Sequence, residues 1–474
     1  MRFTSAFQAL RADHERFLIL LCTLIFFITG GIYVLGGPIF NPSGDEPHFL
    51  VISQTILKYH SLNVLADYQN GDYRSFYFAG NLGPHITFNT RHETLPVHSI
   101  GGPLLWLIPF FLLGRLGAIW FIATLSVFII WNIYKLLLTM GLQERTAYTV
   151  GLIYAFASPF YLYSYRTFIE PIGALVCIYV FRKIVERDTR SMALIMSSVL
   201  LGLLPWVHIR FAFLEIILFF AYFYQIFQTY RWRHWGRYLA FLLPIAALAL
   251  AFEAYNFFVW GSLNPAANQM ASNSTLFEVW PYKGLLGLLF DQDYGLLICF
   301  PLCLFLLAGI ILTATKRYRS FNLLALALSL PYIIAFTTFR HWGGGWSPPA
   351  RFILVLLPIY AFYLAYAIEK IQHRRITDLL VRVTLWWGVL YNLLSMLPPY
   401  NGFSNDIGQN QTLWFLQING YHLTNLWPTV KQINPLLFAV WIGLYLAVSL
   451  LFVSWARSGP IDQEVAKESV SAKI

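Results

Sequence analysis

Long apolar runs follow one another along almost the whole chain, and lysine and arginine gather in every second gap between them. The first run begins after Arg16 and reaches Gly37. At about 1.5 Å of rise per residue, roughly twenty helical residues cross the ~30 Å hydrocarbon layer of a bilayer. Only 11% of the 474 residues are charged and 58% are hydrophobic, against roughly 25% charged in a soluble globular chain. Such a chain cannot fold in water as one domain, and it reads as an all-α polytopic membrane protein. The net charge of +10 would suggest nucleic acid in a soluble protein. Here the cations sit at the ends of apolar runs, where they set orientation in the membrane, so nucleic acid is not expected as a partner.

Besides the first run, spans are expected at 117–138, 147–164, 171–186, 191–207, 210–229, 237–259, 294–314, 321–338, 350–369, 378–397 and 433–455, about twelve in all. The first is an uncleaved span, because no small-residue cleavage site follows it. Residues 99–114 are apolar but short and carry Pro103 and Pro109, which suits an interfacial or re-entrant segment. The cytoplasmic loops then hold Arg182, Lys183, Arg187 and Arg190, then Arg231, Arg233 and Arg237, then Lys316, Arg317 and Arg319, then Lys370, Arg374, Arg375 and Arg382. Counting 99–114 as a full span would turn all of these outward, against the positive-inside rule. Both termini are therefore expected inside, with Arg2, Arg11 and Arg16 among the inner cations.

This divides the chain into a core at 1–397, with a long ordered outer loop at 41–98, and a remainder at 398–474. The remainder comprises an outer loop at 398–431, the last span and a short cytoplasmic tail. Cys22, Cys177, Cys299 and Cys303 all lie in apolar segments, with neither a disulfide framework nor zinc spacing. The sequence has no internal repeat, P-loop or dinucleotide fingerprint, which argues against a nucleotide-driven pump.

The outer loop opens with Asn41-Pro-Ser-Gly-Asp-Glu-Pro-His48. Gly44 supplies a turn, and Pro47 suits the first position of a helix because its missing N–H would be unpaired there. Asp45 and Glu46 then stand at a helix N-terminus, where the macrodipole favours negative charge. In the helix that follows, Phe49, Leu50, Ile52, Ile56 and Leu57 fall on one side and Gln54, Thr55 and Lys58 on the other, as in an interfacial helix. The plain alternative is an acid pair that only caps this helix. Other ionisable groups are expected at the same face: Glu170 before Pro171, His208 and Arg210, Asp291 and Asp293, and Arg340, His341 and Arg351 in Phe339-Arg-His-Trp-Gly-Gly-Gly-Trp-Ser-Pro-Pro-Ala-Arg351. Singly, each arginine could be an interfacial anchor. Several groups of both signs on one side point to a shared functional cavity.

Asp45-Glu46 directly after the first span, Glu170 two spans later and interfacial helices in a long first loop resemble the GT-C superfamily of polyprenyl-phosphate-dependent glycosyltransferases. Within it the chain resembles the protein O-mannosyltransferase and lipid A aminoarabinose-transferase branch. The resemblance implies an inverting transfer of a sugar from a polyprenyl-phosphate-linked donor to a lipid, glycan or protein acceptor. It implies a site on the outer face of the plasma membrane, most naturally a bacterial inner membrane. Asp45 would serve as base or metal-adjacent carboxylate, supported by Glu46 and Glu170. Arg351, Arg340, His341 and Arg210 would hold the donor phosphate. A divalent magnesium or manganese ion at Asp45 is the cofactor to look for, since oxygen ligands suit both ions. Two other classes fit the same composition: a transporter or flippase of lipid-linked sugars, and a polymerase or ligase of lipid-linked glycans. The first should show matching broken spans in two halves, and the second relies on late-loop arginine and histidine.

The orientation is open to direct test. A single cysteine placed at position 234, in an otherwise cysteine-free chain, should resist an impermeant thiol reagent in intact cells and react after permeabilisation. Labelling from outside would reverse the assignment of faces.

Overall fold

The computed structural model describes residues 13–272, 278–371, 375–397, 403 and 423–458. Arg2, Arg11, Arg374, most of the loop at 398–431 and the expected tail at 459–474 lie outside the described residues. In chain order the helices begin with α1 (His14–Leu35), α2 (Glu46–Tyr59) and α3 (Leu65–Asn70). A hairpin of β1 (Ile86–Phe88) and β2 (Thr94–Pro96) follows. Then come α4 (Gly101–Leu105), α5 (Leu107–Leu113), α6 (Arg115–Thr139), α7 (Glu144–Phe156), α8 (Phe160–Tyr163), α9 (Glu170–Val185) and α10 (Ser191–Val207). The second half holds α11 (Ala212–Tyr230), α12 (Trp235–Tyr255), α13 (Ala267–Ala271), α14 (Tyr282–Phe290), α15 (Leu296–Cys299) and α16 (Leu304–Leu312). It closes with α17 (Arg319–Thr337), α18 (Leu357–Ile371), α19 (Arg375–Met396) and α20 (Pro435–Arg457).

Among the described residues, seven helices are long and apolar enough to cross a membrane: α1, α6, α11, α12, α17, α19 and α20, three of them together with continuous 3-10 or π turns. The chain is thus an all-α multi-pass membrane protein with one small hairpin. The other expected spans are shorter or broken, each for a local reason. The segment at 147–164 is interrupted at Ser158-Pro159, where the Ser158 hydroxyl accepts the Phe160 N–H. The segment at 294–314 breaks at Pro301, which has no N–H to continue a helix. The segment at 350–369 starts late: Ala350 has φ +59°, and α18 begins only at Leu357. The 16-residue α9 is buried at nearly every position. It packs on α6, α10 and α18, so its apolar surface is spent on protein rather than lipid.

The most extensive helix contacts include α10 on α12, α1 and α9 against α6, and α16 between α18 and α20. Glycine permits the closest approaches. A Cβ at Gly117 in α6 would lie 1.8 Å from the Pro109 carbonyl oxygen, and one at Gly309 in α16 would lie 2.0 Å from that of Tyr363. One end of the bundle is tied together by Lys135–Glu15 at 2.5 Å, His14–Glu144 at 3.1 Å and the Gln143 N–H on Glu369 at 3.0 Å. The Arg182–Arg190 and Arg231–Arg237 loops join helices at this same end. Residues 41–98 cover the other end.

The long loop is ordered, as expected, but α2 does not lie on a surface. Phe49 to Ser53 and Thr55 are buried, so both sides of its first turns are enclosed by protein. The hairpin anchors the loop on residues following α12. Asn89 Nδ2 donates to the Val259 carbonyl at 2.8 Å, and Thr87 Oγ1 to that of Ala271 at 2.7 Å. The segment at 99–114 is the two short helices α4 and α5, broken at Trp106. Ile108, Phe111 and Leu112 are exposed, as an interfacial segment requires.

Asp67 in α3 is fully buried, and burial, with Asp72 second, pushes its carboxyl up to about 7. A folded-state value above the unfolded one means stability that is fully present at low pH and lost as pH rises through about 7. Asp67→Asn should therefore raise Tm in detergent by several degrees at pH 8.5 and much less at pH 5. A constant difference across that range would show that Asp67 is charged at all these pH values.

Candidate active site

The turn that ends the first span places two neighbouring acids in different surroundings. Gly44 has φ +57°, and a Cβ there would meet the Trp346 carbonyl oxygen at 2.2 Å, so the turn requires glycine. Asp45 follows as the N-cap of α2, yet its side chain makes no capping hydrogen bond. It turns to Arg351, whose Nη2 donates to Asp45 Oδ2 at 2.5 Å. Glu46 points the other way. It is fully buried and accepts from Arg166 Nη1 at 3.0 Å, the Thr167 N–H at 3.0 Å, the Ser43 N–H at 3.2 Å and Tyr33 Oη at 3.5 Å. The capping alternative is thus excluded for Asp45, and Glu46 is a structural latch that ties the turn at 43–46 to residues 166–167.

Glu170 stands at the start of α9, completely buried. Its Oε1 accepts from Arg351 Nε at 2.8 Å and from Arg210 Nη2 at 2.5 Å. Arg351 also donates from Nη1 to the Gly344 carbonyl at 2.8 Å, and its guanidinium lies 4.7 Å from the Phe168 ring centre. Gly344 has φ +91°, and a Cβ there would press on Arg351 Cδ at 2.7 Å. The glycine run at 343–345 therefore wraps backbone around the guanidinium. Although a span is expected from residue 350, Arg351 does not stand at the start of a long helix, because α18 begins six residues later. Nor is Arg351 a snorkelling anchor: its side chain is 5% exposed and shared by two carboxylates.

The result is a row of alternating charge, Asp45–Arg351–Glu170–Arg210, drawn from four separate parts of the chain. Burial by itself would raise the Asp45 carboxyl, but the Arg351 guanidinium more than offsets it, holding it well below the usual carboxylate range. Arg210 keeps a buried Nε without a hydrogen-bond partner, and His208 Nδ1 accepts the Arg210 backbone N–H at 3.2 Å.

Asp45, Arg351, Arg210 and His341 line a cavity of 1140 Å³. Glu46 and Glu170 stand behind its wall, and Arg340 is exposed and does not line it. The remaining wall is largely apolar, with Phe213, Ile216, Phe336 and Phe339. Ile216 is half exposed on α11, so the cavity reaches the bundle's outer surface beside that helix. Asp291 takes another role. It accepts the Asp293 and Tyr294 N–H groups, and its Oδ2 accepts that of Val430 at 2.7 Å, pinning the segment before α20.

His48, His85 and His98 also line the cavity. The His48 and His85 rings stack with centres 3.5 Å apart, and His85 Nδ1 is 3.0 Å from His98 Nε2. Burial lowers all three, His98 to about 4, so they are neutral imidazoles at pH 7. Sequence reasoning passed over His85 and His98, since they sit thirteen residues apart in no ligand spacing. It also passed over Arg166, the buried partner of Glu46. Asp45 is the carboxylate expected near a metal, but its neighbours are imidazoles rather than further oxygens.

No protein-family model matches the sequence, and no curated protein does. Solved structures to which the chain shows similarity include the oligosaccharyltransferase AglB of Archaeoglobus fulgidus in complex with an inhibitory peptide and a dolichol-phosphate, at TM-score 0.44 and 12% identity over 81% of this chain and 56% of that one. The Archaeoglobus fulgidus oligosaccharyltransferase complexed with Zn and sulfate gives 0.43 and 13% over 79% and 53%. The same enzyme tethered to an acceptor peptide containing the NVT sequon gives 0.45 and 12% over 82% and 56%. The chain spans little more than half the length of these proteins.

The Glu46 network makes a prediction about stability. Glu46→Gln leaves the Arg166 charge buried and uncompensated, which should cost about 3–5 kcal/mol, read as a fall in Tm in detergent. Asp45→Asn should cost less, because that side chain is 25% exposed. An unchanged Tm for Glu46→Gln would remove the latch.

Proposed function

We propose that the chain is a GT-C-like glycosyltransferase that moves a sugar from a polyprenyl-phosphate donor to an acceptor at the membrane's outer face. The observation that carries this reading is the paired-charge row on the wall of a cavity that is otherwise largely apolar and opens beside a lipid-facing helix. A polyprenyl-phosphate sugar is amphipathic in the same way: a long apolar chain, a compact anion and a polar head. The prenyl chain would lie along Phe213, Ile216 and Phe336, entering laterally from the membrane. The phosphate would meet the guanidinium groups of Arg351 and Arg210, with His341 nearby. Guanidinium groups suit phosphate because their N–H fork binds it bidentately. Arg340 has no place in this contact.

A carboxylate held far below its usual range is a weak general base. In the resting site Arg351 keeps Asp45 in that state. When a phosphate claims part of the Arg351 fork, Asp45 loses its strongest stabilising partner and becomes more basic. The donor would thus prepare its own base, and deprotonation of an acceptor hydroxyl would follow its binding. Direct attack of that oxygen on the anomeric carbon expels the phosphate, whose charge remains against the arginines, and inverts the configuration. Glu170 takes no proton in this scheme; it orients Arg351 and Arg210. The cation-rich loops lie at the opposite end of the bundle, which supports an outward-facing site by the positive-inside rule. A divalent ion at Asp45 would add Lewis-acid assistance at the phosphate.

The test is sugar transfer from synthetic polyprenyl-phosphate sugars by protein purified in detergent. Asp45→Asn should lower kcat by about two or more powers of ten with a smaller change in donor KM, because the base acts in the transition state. Arg210→Gln should instead act mainly on donor KM. Near-normal turnover in Asp45→Asn would rule out the base. Binding and movement of donor without bond cleavage would favour the transporter reading.

A further inference from the structure

Two histidines of the outer loop have no part in the transfer scheme, yet they are the most deliberately placed side chains around Asp45. His85 leads into β1 and His98 follows β2, so pairing of the two strands brings the histidines side by side. His85 Nδ1 and His98 Nε2 lie 3.0 Å apart. His98 Nε2 is 4.0 Å from Asp45 Oδ1, and ligand atoms of all three residues fall within 4.8 Å of one another. A tetrahedral cation with bonds of about 2.0–2.1 Å sets its ligands roughly 3.4 Å apart, within the range of these separations.

The groups behind the three are fixed as well. Asp45 gives Oδ2 to Arg351, which leaves Oδ1 towards the histidines. His48 stacks on His85 with the ring planes 12° apart, and its Nδ1 is 2.7 Å from Tyr68 Oη. That same hydroxyl accepts the His85 backbone N–H at 3.4 Å. Such supporting contacts are what orient imidazole ligands in metal sites.

We infer that Asp45, His85 and His98 form a site for a single zinc-class transition-metal cation on the cavity wall. Two nitrogen donors and one carboxylate favour zinc, cobalt or manganese over magnesium, which prefers an octahedral oxygen shell. Three protein ligands leave a coordination position towards the cavity, the pattern of sites that handle a substrate rather than hold a fold. The ligand of that position would be an anionic oxygen, a phosphate oxygen above all. The phosphate assignment rests on the proposed function, but metal occupancy is read independently of it, since the ion can be counted whether or not a sugar moves.

The experiment uses the full chain purified in detergent on a tag free of histidine, stripped with chelator and then exposed to cobalt(II) or zinc(II) alone. About one ion per chain should remain after desalting, with a ligand-field absorption band for cobalt. His85→Gln and His98→Gln should each weaken binding by about tenfold or more, the scale on which metal sites respond to lost contacts. The double variant should lose the band. His234→Gln, at the far end of the bundle, should keep it, and a hundredfold excess of magnesium should not displace cobalt. Should the double variant fail to fold, zinc must still raise the Tm of the wild-type protein where magnesium does not. The site is overturned by wild-type occupancy no higher than background, by an unchanged cobalt band in the folded double variant, or by no zinc-specific rise in Tm.

Discussion

Arg351 pairs with carboxylates 306 and 181 residues earlier in the chain, and the functional end of the molecule is assembled around that one guanidinium. Its three nitrogens hold the turn before α2, the start of α9 and the glycine loop at 343–345 to a common point. Burying a cation costs several kcal/mol unless it is paired and hydrogen-bonded. Here three of its five N–H groups are met by Asp45, Glu170 and the Gly344 carbonyl, so the three segments cannot drift apart without exposing an unpaired charge to a low-dielectric interior. The same pairing keeps Asp45 ionised and weakly basic. Position and reactivity are therefore set by one contact.

A second buried pair keeps the first in register. Glu46 and Arg166 hold the turn from the protein side, while Asp45 is left facing the cavity. Adjacent residues on a helix's first turn point about 100° apart, so one acid can be structural and the next chemical without any change of backbone. The outer loop then supplies the far wall. Its hairpin rests on residues 259–271, and this support carries His85 and His98 to the side of Asp45 opposite Arg351. Asp45 thereby has a cation on one oxygen and neutral nitrogen donors near the other.

Much of the frame was legible in the chain. Apolar runs and their flanking cations identified a multi-pass helical membrane protein, because bilayer thickness fixes the length of a span. Gly44 and Pro47 marked the turn and the helix start, because each has a backbone preference that few other residues share. Asp45, Arg210, His341 and Arg351 were also legible as charged or polar groups at span ends, and all four reach the cavity. Arg340 did not, since one step along the loop points its side chain away. Spans such as 147–164 and 294–314 read as continuous because hydropathy does not register a break at a single proline or serine within an apolar run.

Composition, turn chemistry and the placement of charge thus determined the membrane, the long ordered outer loop and the end at which the polar groups gather. Those are local properties, set by the transfer free energy of each residue and the backbone it permits. The tertiary structure alone decided that Glu46 is buried against Arg166 while Asp45 faces a cavity, that Arg351 is shared by two acids, and that two unremarked histidines stand beside Asp45. Each of these is a pairing between segments distant in sequence, and a single chain carries no local signal of which distant charge or ring will lie within 3 Å of it.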